Sequence, residues 1–226
     1  IAPGNRAYRE KYLSYEQRQG DPNKALEVRM NIARTEPDDM GNLRGVAVLL
    51  AHLKQLDKAR QVCQQLFAKD PSDRANYGAY AAVLAIDNQL DQARSVLDNY
   101  IKQKADQAES EDYMLYARFL MSVGQTKQAY EQYRNAIKLD KTSDMQASRE
   151  LADALFGDAR FAQAAEIYQR VWERDRQDGR VGYRLVETLQ RNSQFDQARQ
   201  VLERLEDAIG KSATSLLLKA QIARNQ

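Results

Sequence analysis

The sequence is poor in several things at once. It has one cysteine, Cys63, one histidine, His52, one tryptophan, Trp172, and four prolines in 226 residues. A lone cysteine excludes an intrachain disulfide and with it the disulfide-stapled scaffolds. One histidine and one cysteine fall short of the roughly four ligands of a structural zinc site. No metal site and no cofactor are therefore expected. No apolar stretch approaches the roughly 18 residues that mark a membrane-spanning helix. A strong charge bias is also missing: 34 Lys and Arg against 32 Asp and Glu leave a formal net charge of +2. Nucleic-acid binding needs a concentrated basic face, so no nucleic-acid partner is expected. Charges of both signs alternate, as on a solvated helix surface. The chain starts Ile1-Ala2-Pro3, which reads as a processed form or a fragment of a longer protein.

What the chain has is repetition. One phrase occurs three times nearly verbatim: Gln55-Leu56-Asp57-Lys58-Ala59-Arg60, Gln89-Leu90-Asp91-Gln92-Ala93-Arg94 and Gln194-Phe195-Asp196-Gln197-Ala198-Arg199. Looser copies put the same alanine at Ala25, Ala129 and Ala164, so that the six alanines are spaced 34, 34, 36, 35 and 34 residues apart. A period this regular marks a repeat architecture. Within each period lie two helical stripes. Leu43, Val46, Ala47 and Leu50 recur at helical spacing, then Leu56, Ala59, Val62, Cys63 and Leu66. Asp70-Pro71 closes the pair, because proline cannot continue the hydrogen-bond ladder. The spacing predicts helices at 5–18, 22–35, 39–52, 56–69, 73–86, 90–104, 109–123, 126–139, 144–157, 161–174, 178–191, 195–208 and 212–225. Gly124 supplies a positive-φ turn between two of them. The two extra residues of the 36-residue interval fall in Lys102–Asp112 and lengthen a helix or a loop there.

A helix–turn–helix unit of about 34 residues with small residues at fixed points resembles the tetratricopeptide repeat. Setting Ala59 at the family's small position in the second helix puts Leu56 at its bulky turn position, Cys63 and Leu66 at core sites, and Pro71 at the terminal proline. In the first helix the family's pattern falls on Leu43, Val46, Ala47 and Leu50, on Tyr77, Tyr80, Ala81 and Leu84, and on Tyr113, Tyr116, Ala117 and Leu120. The resemblance implies an all-α, right-handed superhelical solenoid of antiparallel helix pairs, with about 13 helices in one array spanning 1–226. The repeats would run over about 6–39, 40–73, 74–109, 110–144, 145–178 and 179–212, with a terminal helix at 213–226. The first helix, with Tyr8, Tyr12 and Tyr15 on one stripe, matches poorly, as an end repeat does.

No catalytic constellation stands out. Cys63 sits at a core position of the repeat, where a buried thiol is inert, so a Cys63–His52 dyad is not expected. Asp38-Asp39 and Glu111-Asp112 fall at helix starts, where they compensate the macrodipole. Trp172 falls at a packing position. The expectation is a non-enzymatic protein-interaction scaffold.

In the resembled family the first helix of each pair lines a concave groove. The corresponding candidates for binding a protein or peptide partner are Arg44, Val48, Ala79, Ala82, Leu115, Arg118, Arg149, Glu150, Tyr183 and Arg184. Met114, Asp153, Phe156, Glu187 and Arg191 extend the same faces. No asparagine occupies Gly45, Ala79, Leu115, Glu150 or Arg184, so a clamp for a peptide's C-terminal carboxylate is not expected. An extended peptide or a partner helix is the expected occupant. Two alternatives stand beside it: self-association through a stack end carrying Leu216, Leu217 and Ile222, and a polysaccharide-binding module in which Trp172 and Tyr183 stack on sugars. The glutamine-rich, cysteine-poor composition points to the periplasm over the cytoplasm, within a bacterial cell-envelope export or assembly machine such as secretion or polysaccharide export.

Overall fold

The computed structural model of the protein describes residues 11, 20–140 and 145–224. Among them the fold is all-helical, with α1 (Pro22–Thr35), α2 (Met40–His52), α3 (Leu56–Lys69), α4 (Arg74–Ile86), α5 (Leu90–Lys104), α6 (Ser110–Ser122), α7 (Thr126–Leu139), α8 (Gln146–Gly157), α9 (Phe161–Arg174), α10 (Gly179–Arg191), α11 (Phe195–Ile209) and α12 (Ala213–Arg224). Each agrees with the periodicity to within two residues at either end. The expected helix over 5–18, with its three tyrosines, lies outside the described residues. The irregular stretch takes both forms at once: α5 extends to Lys104, and a short 3-10 turn, Ala105–Gln107, follows it.

Even-numbered helices are the first, and odd-numbered helices the second, of each pair. Several helices begin on side-chain caps, whereas α8, which starts after Met145, has none. The carboxylates of Asp21 (before α1), Asp39, Asp73 and Asp178 each accept a backbone N–H of the first turn, at 2.9–3.2 Å. Ser212 and Ser215 cap α12 reciprocally, at 3.0 and 3.1 Å. Such caps contribute about 1 kcal/mol each. The turn from first to second helix is built differently. At Lys54, Asn88, Gly124, Ala159 and Ser193 the backbone is left-handed, with φ of 57–75°. In each case the next amide reaches back to the sixth residue, as in Gln55 N–H to Leu50 C=O at 2.9 Å and Arg160 N–H to Leu155 C=O at 2.9 Å. The amide of the left-handed residue itself bonds three residues back, as in Lys54 N–H to Ala51 C=O at 2.9 Å, and the two hydrogen bonds together make the Schellman motif. Only one of the five positions is glycine, so four turns hold a side chain in a conformation it disfavours.

The chain forms two compact units. Of the described residues, one comprises those up to Ala108 with Arg118–Gln125, the other Glu109–Ala117 with those from Thr126 onward. Within the first, α1 packs on α2, α2 on α3 and α4, α3 on α4, and α4 on α5. Within the second, α7 packs on α8, α8 on α9, α9 on α10, α10 on α11, and α12 on both α10 and α11. Contacts run between neighbours in sequence, as in a stack of repeats.

Alanine makes this packing close. Ala25, Ala59, Ala93, Ala129, Ala164 and Ala198 on the second helices, and Ala47, Ala81, Ala117 and Ala152 on the first, all have 0% exposure. Around them, in the first unit, Val46, Leu50, Cys63 and Val83 form a core against Leu56 and Tyr80. Each fully buried aliphatic side chain stabilises by about 1.5–3 kcal/mol. Burial also pushes the Cys63 thiol up to about 11, so it stays protonated.

Buried asparagines complete the joints. Asn42 and Asn76 each lie three residues into a first helix. Asn42 Nδ2 donates to Arg29 C=O at 2.8 Å, and Asn76 Nδ2 to Asp70 C=O at 2.8 Å and Leu66 C=O at 3.2 Å. They satisfy carbonyls of the preceding second helix and the turn that ends it.

Candidate functional site: a charged cleft on the first helices of the second unit

Repeat positions that match one another serve the stack, and positions that differ are free for recognition. The structure sorts the candidates on this basis. Arg44 Nη1 pairs with Asp73 Oδ2 at 2.5 Å and donates to Asn76 Oδ1 at 3.0 Å. Arg149 Nη1 reaches Asp178 Oδ2 at 3.3 Å, and the Tyr183 hydroxyl shares a hydrogen bond with Ser212 Oγ at 2.6 Å. All three pairs span 29 residues and tie one first helix to the cap of the next. These side chains are therefore staples between repeats. A second staple runs on the other helix: Arg60 Nη2 to Asp87 Oδ2 at 2.5 Å, and Tyr130 hydroxyl to Asp158 Oδ2 at 2.6 Å. Burial and the Asp158 carboxylate push the Tyr130 hydroxyl up to about 12. The arginine that ends the repeated phrase thus carries a structural interaction at Arg60.

Of the other candidates, Val48, Ala82 and Leu115 are half-buried, Arg118 is exposed, and Ala79 is 8% exposed. Met114 is 2% exposed and belongs to the core, not to a binding face. The face of α2 at Gly45 is occupied. A Cβ added there would lie 2.5 Å from the Arg29 guanidinium, which fills the space glycine leaves.

Arg149, Glu150 and Arg184 come together in the second unit. They line a cleft of about 540 Å³ between α8 and α10, with Gln146, Asp153, Tyr168, Arg180 and Val181. Its volume lies in the range of ligand sites, roughly 300–1,000 Å³. Val181 is buried and forms part of the floor. Glu150 accepts from Gln146 Nε2 at 3.1 Å and from the Tyr133 hydroxyl at 3.3 Å. The buried Tyr168 hydroxyl donates to Asp153 Oδ1. Burial first, and then that carboxylate, raise the Tyr168 pKa far above the usual tyrosine value, so Tyr168 acts as a fixed donor. Arg184 lies 3.7 Å from Asp153 and 3.0 Å from Glu187, with its guanidinium 4.9 Å from the centre of the Phe156 ring. Arg180 differs from these. It is exposed, it opens the first turn of α10, and its guanidinium makes no ion pair or side-chain hydrogen bond among the described residues.

Four members of the cleft were not among the sequence candidates: Gln146, Tyr168, Arg180 and Val181. Tyr168 had a readable signal. It stands where Cys63, Leu97 and Leu202 stand in other repeats, and a tyrosine at a buried position needs a partner for its hydroxyl.

Other expectations are settled by burial. Trp172 has 0% exposure, packed where a Cβ on Gly182 would come within 3.1 Å of its Nε1, so it cannot stack on a sugar. On α12, Leu216 and Leu217 are 58% and 59% exposed, but Ile222 is 2% exposed, because it faces into the unit with Leu218. Ile222 is therefore no part of an exposed end. Among the described residues no helix is long and apolar enough to cross a membrane, and no three metal-ligating side chains cluster.

Antiparallel helix pairs at a 34-residue period, alanine-packed and joined by Schellman turns, define a helical-repeat solenoid. Two family models, both described as tetratricopeptide repeat, match residues 117–179 and 155–222. Together the two matches span residues 117–222, and this part of the chain is similar to tetratricopeptide repeats. No curated protein sequence matches it significantly. Among solved structures it is similar to the C-terminal part of a TPR repeat-containing protein from Cytophaga hutchinsonii, with TM-score 0.58, 22% identity, 81% of this chain and 71% of that one covered. Yeast Tom70 aligns with TM-score 0.64 at 13% identity, over 96% of this chain and 46% of that one. YrrB, described as a TPR protein with an unusual peptide-binding site, aligns with TM-score 0.50 at 16% identity, over 86% of this chain and 99% of that one. Proteins built of this repeat are in general non-enzymatic scaffolds for protein–protein interaction.

Proposed function

We propose that the chain is a non-enzymatic scaffold whose second unit takes an extended peptide segment of a partner protein in the cleft between α8 and α10. One observation carries the proposal: an unengaged cation, Arg180, stands beside a set of cleft groups that are already fixed. The Tyr168–Asp153 and Gln146–Glu150 hydrogen bonds hold two carboxylates in place, and Val181 gives a small apolar floor. Fixed carboxylates accept backbone N–H groups or a lysine of the peptide, and Arg180 takes an acidic side chain. Little entropy is lost in ordering the receptor, which favours affinity. The peptide-binding site of YrrB supports a peptide as the ligand class.

The test is selection of linear peptides on the intact chain, followed by titration against Arg180→Glu. The charge reversal should weaken the selected peptides about tenfold. Equal affinity for both proteins would remove this cleft from the function. For the setting we propose a bacterial cell-envelope assembly, on the single cysteine and glutamine-rich composition. Fractionation of the native host that leaves the protein wholly in the cytoplasm would refute it.

A further inference from the structure

The second unit carries another groove, built on other helices. It lies between α7 and α9 and is floored by α8, with a volume of about 420 Å³. Leu151 and Leu155 of α8 form its buried base. Ile137 of α7, Ile167 of α9 and Met145 at the head of α8 are half-exposed and line it. Its rim is cationic. Arg134 and Lys138 stand one turn apart on α7, and Arg170 faces them from α9. Among the described residues of the lining one side chain is acidic, Glu166, and it lies 3.6 Å from Arg170 on its own helix. Among the described residues Lys138 donates to Asn135 Oδ1, at 3.4 Å, and neither it nor Arg134 makes an ion pair.

The repeat itself shows that this chemistry is not required by the stack. Arg134 stands five residues after its repeat alanine. The same place holds Met30, Gln64, Asp98, Gln169 and Glu203 in the other repeats, so a cation occurs there once. The neighbouring groove, between α9 and α11 over α10, has Gln169 where this one has Arg134, and keeps a cation, Arg204, where this one has Arg170. An apolar base with a rim of three cations against one carboxylate matches a ligand of the opposite arrangement.

We infer that the α7–α9 groove docks a second protein segment, one that sets apolar side chains between acidic ones. The apolar side chains fill the space over Leu151 and Leu155. The acidic ones meet Arg134 and Lys138 on one wall and Arg170 on the other. The site is separate from the α8–α10 cleft in residues and in helix faces, so the scaffold holds two segments on one unit.

The experiment uses the intact chain and two fluorescein-labelled synthetic peptides, one with leucines flanked by aspartates, the other with lysines in place of the aspartates. Fluorescence anisotropy should show binding of the aspartate peptide and not of the lysine peptide, weakening as salt is raised. Arg134→Glu should weaken it about tenfold, and Arg134→Gln by a smaller factor. Both variants alter an exposed side chain, and unchanged thermal melts should accompany them. Lys58→Glu, on the first unit, should leave binding as it was. The inference is overturned if both peptides bind alike, if neither binds, or if Arg134→Glu has no effect. It is also overturned if binding is lost on Arg180→Glu instead, which would place the peptide in the other cleft. Arg134-dependent binding of laurate with no binding of the aspartate peptide would make the groove a fatty-acid site and reject a protein segment.

Discussion

Replacing Ala159 by glycine should stabilise the second unit, against the usual cost of adding a glycine. Ala159 ends the turn after α8 with φ of 57°. An L-residue pays roughly 1–2 kcal/mol for that left-handed conformation, and glycine pays almost none. Glycine gives back about 0.4–1 kcal/mol through its greater freedom in the unfolded chain. The net gain is about 0.5–1 kcal/mol. Two residues earlier the argument reverses. Gly157 is the last residue of α8 with an ordinary helical backbone, and a Cβ added there meets nothing within 4 Å. Gly157→Ala should therefore also stabilise, by about 0.5–1 kcal/mol. Gly124, with φ of 75°, should lose about 1 kcal/mol on substitution by alanine. Urea unfolding followed by far-ultraviolet circular dichroism reads all three, as midpoints shifted by about 0.2–0.5 M at slopes near 2 kcal/mol/M. A lower midpoint for Ala159→Gly, or an unchanged one for Gly124→Ala, would refute the assignment of these turns.

Four further outcomes follow from the packing. Ala93→Phe, at a fully buried helix contact, should cost about 1–3 kcal/mol, while Lys58→Ala should stay within about 0.5 kcal/mol; equal urea midpoints would contradict this. On α12, Ile222→Ala should loosen the helix by about 2–4 kcal/mol and Leu217→Ala should be neutral, read by hydrogen exchange of α12 amides. The Glu206 carboxylate binds Lys219 and Ser215, which hold its pKa below the usual value. A depressed folded pKa means stability that is present above the unfolded value of about 4.3 and is lost as pH falls through the folded one. The stability gap between the protein and Glu206→Gln should therefore close between neutral pH and pH about 3, and a gap independent of pH would reject the bridge. Cys63 should react with a thiol reagent at pH about 8 far more slowly in the folded protein than in urea, because burial keeps the thiol protonated.

The period made most of the fold readable. Six alanines at fixed spacing locate every second helix, and Pro37 and Pro71 close the first two of them. The turns were less legible, because the left-handed backbone at Lys54, Asn88, Ala159 and Ser193 is imposed by the Schellman geometry and not advertised by the residue. The groove was read from family register alone, which gives a helix face and not a side chain's commitment. Register assigns Arg44, Arg149 and Tyr183 to it, but the structure spends them on caps 29 residues onward. That spacing was present in the sequence as Arg44–Asp73 and Arg149–Asp178. The α7–α9 groove was not legible at all. It needs the approach of helices that the pattern treats as interchangeable.

The central claim is that the second unit recognises a peptide through the α8–α10 cleft. The measurement that bears on it most directly is calorimetric titration of a peptide selected on the intact chain, run in parallel on the protein, Arg180→Glu and Arg134→Glu. The account predicts that Arg180→Glu weakens that peptide about tenfold while Arg134→Glu leaves it unchanged. Affinity that survives Arg180→Glu intact would contradict it.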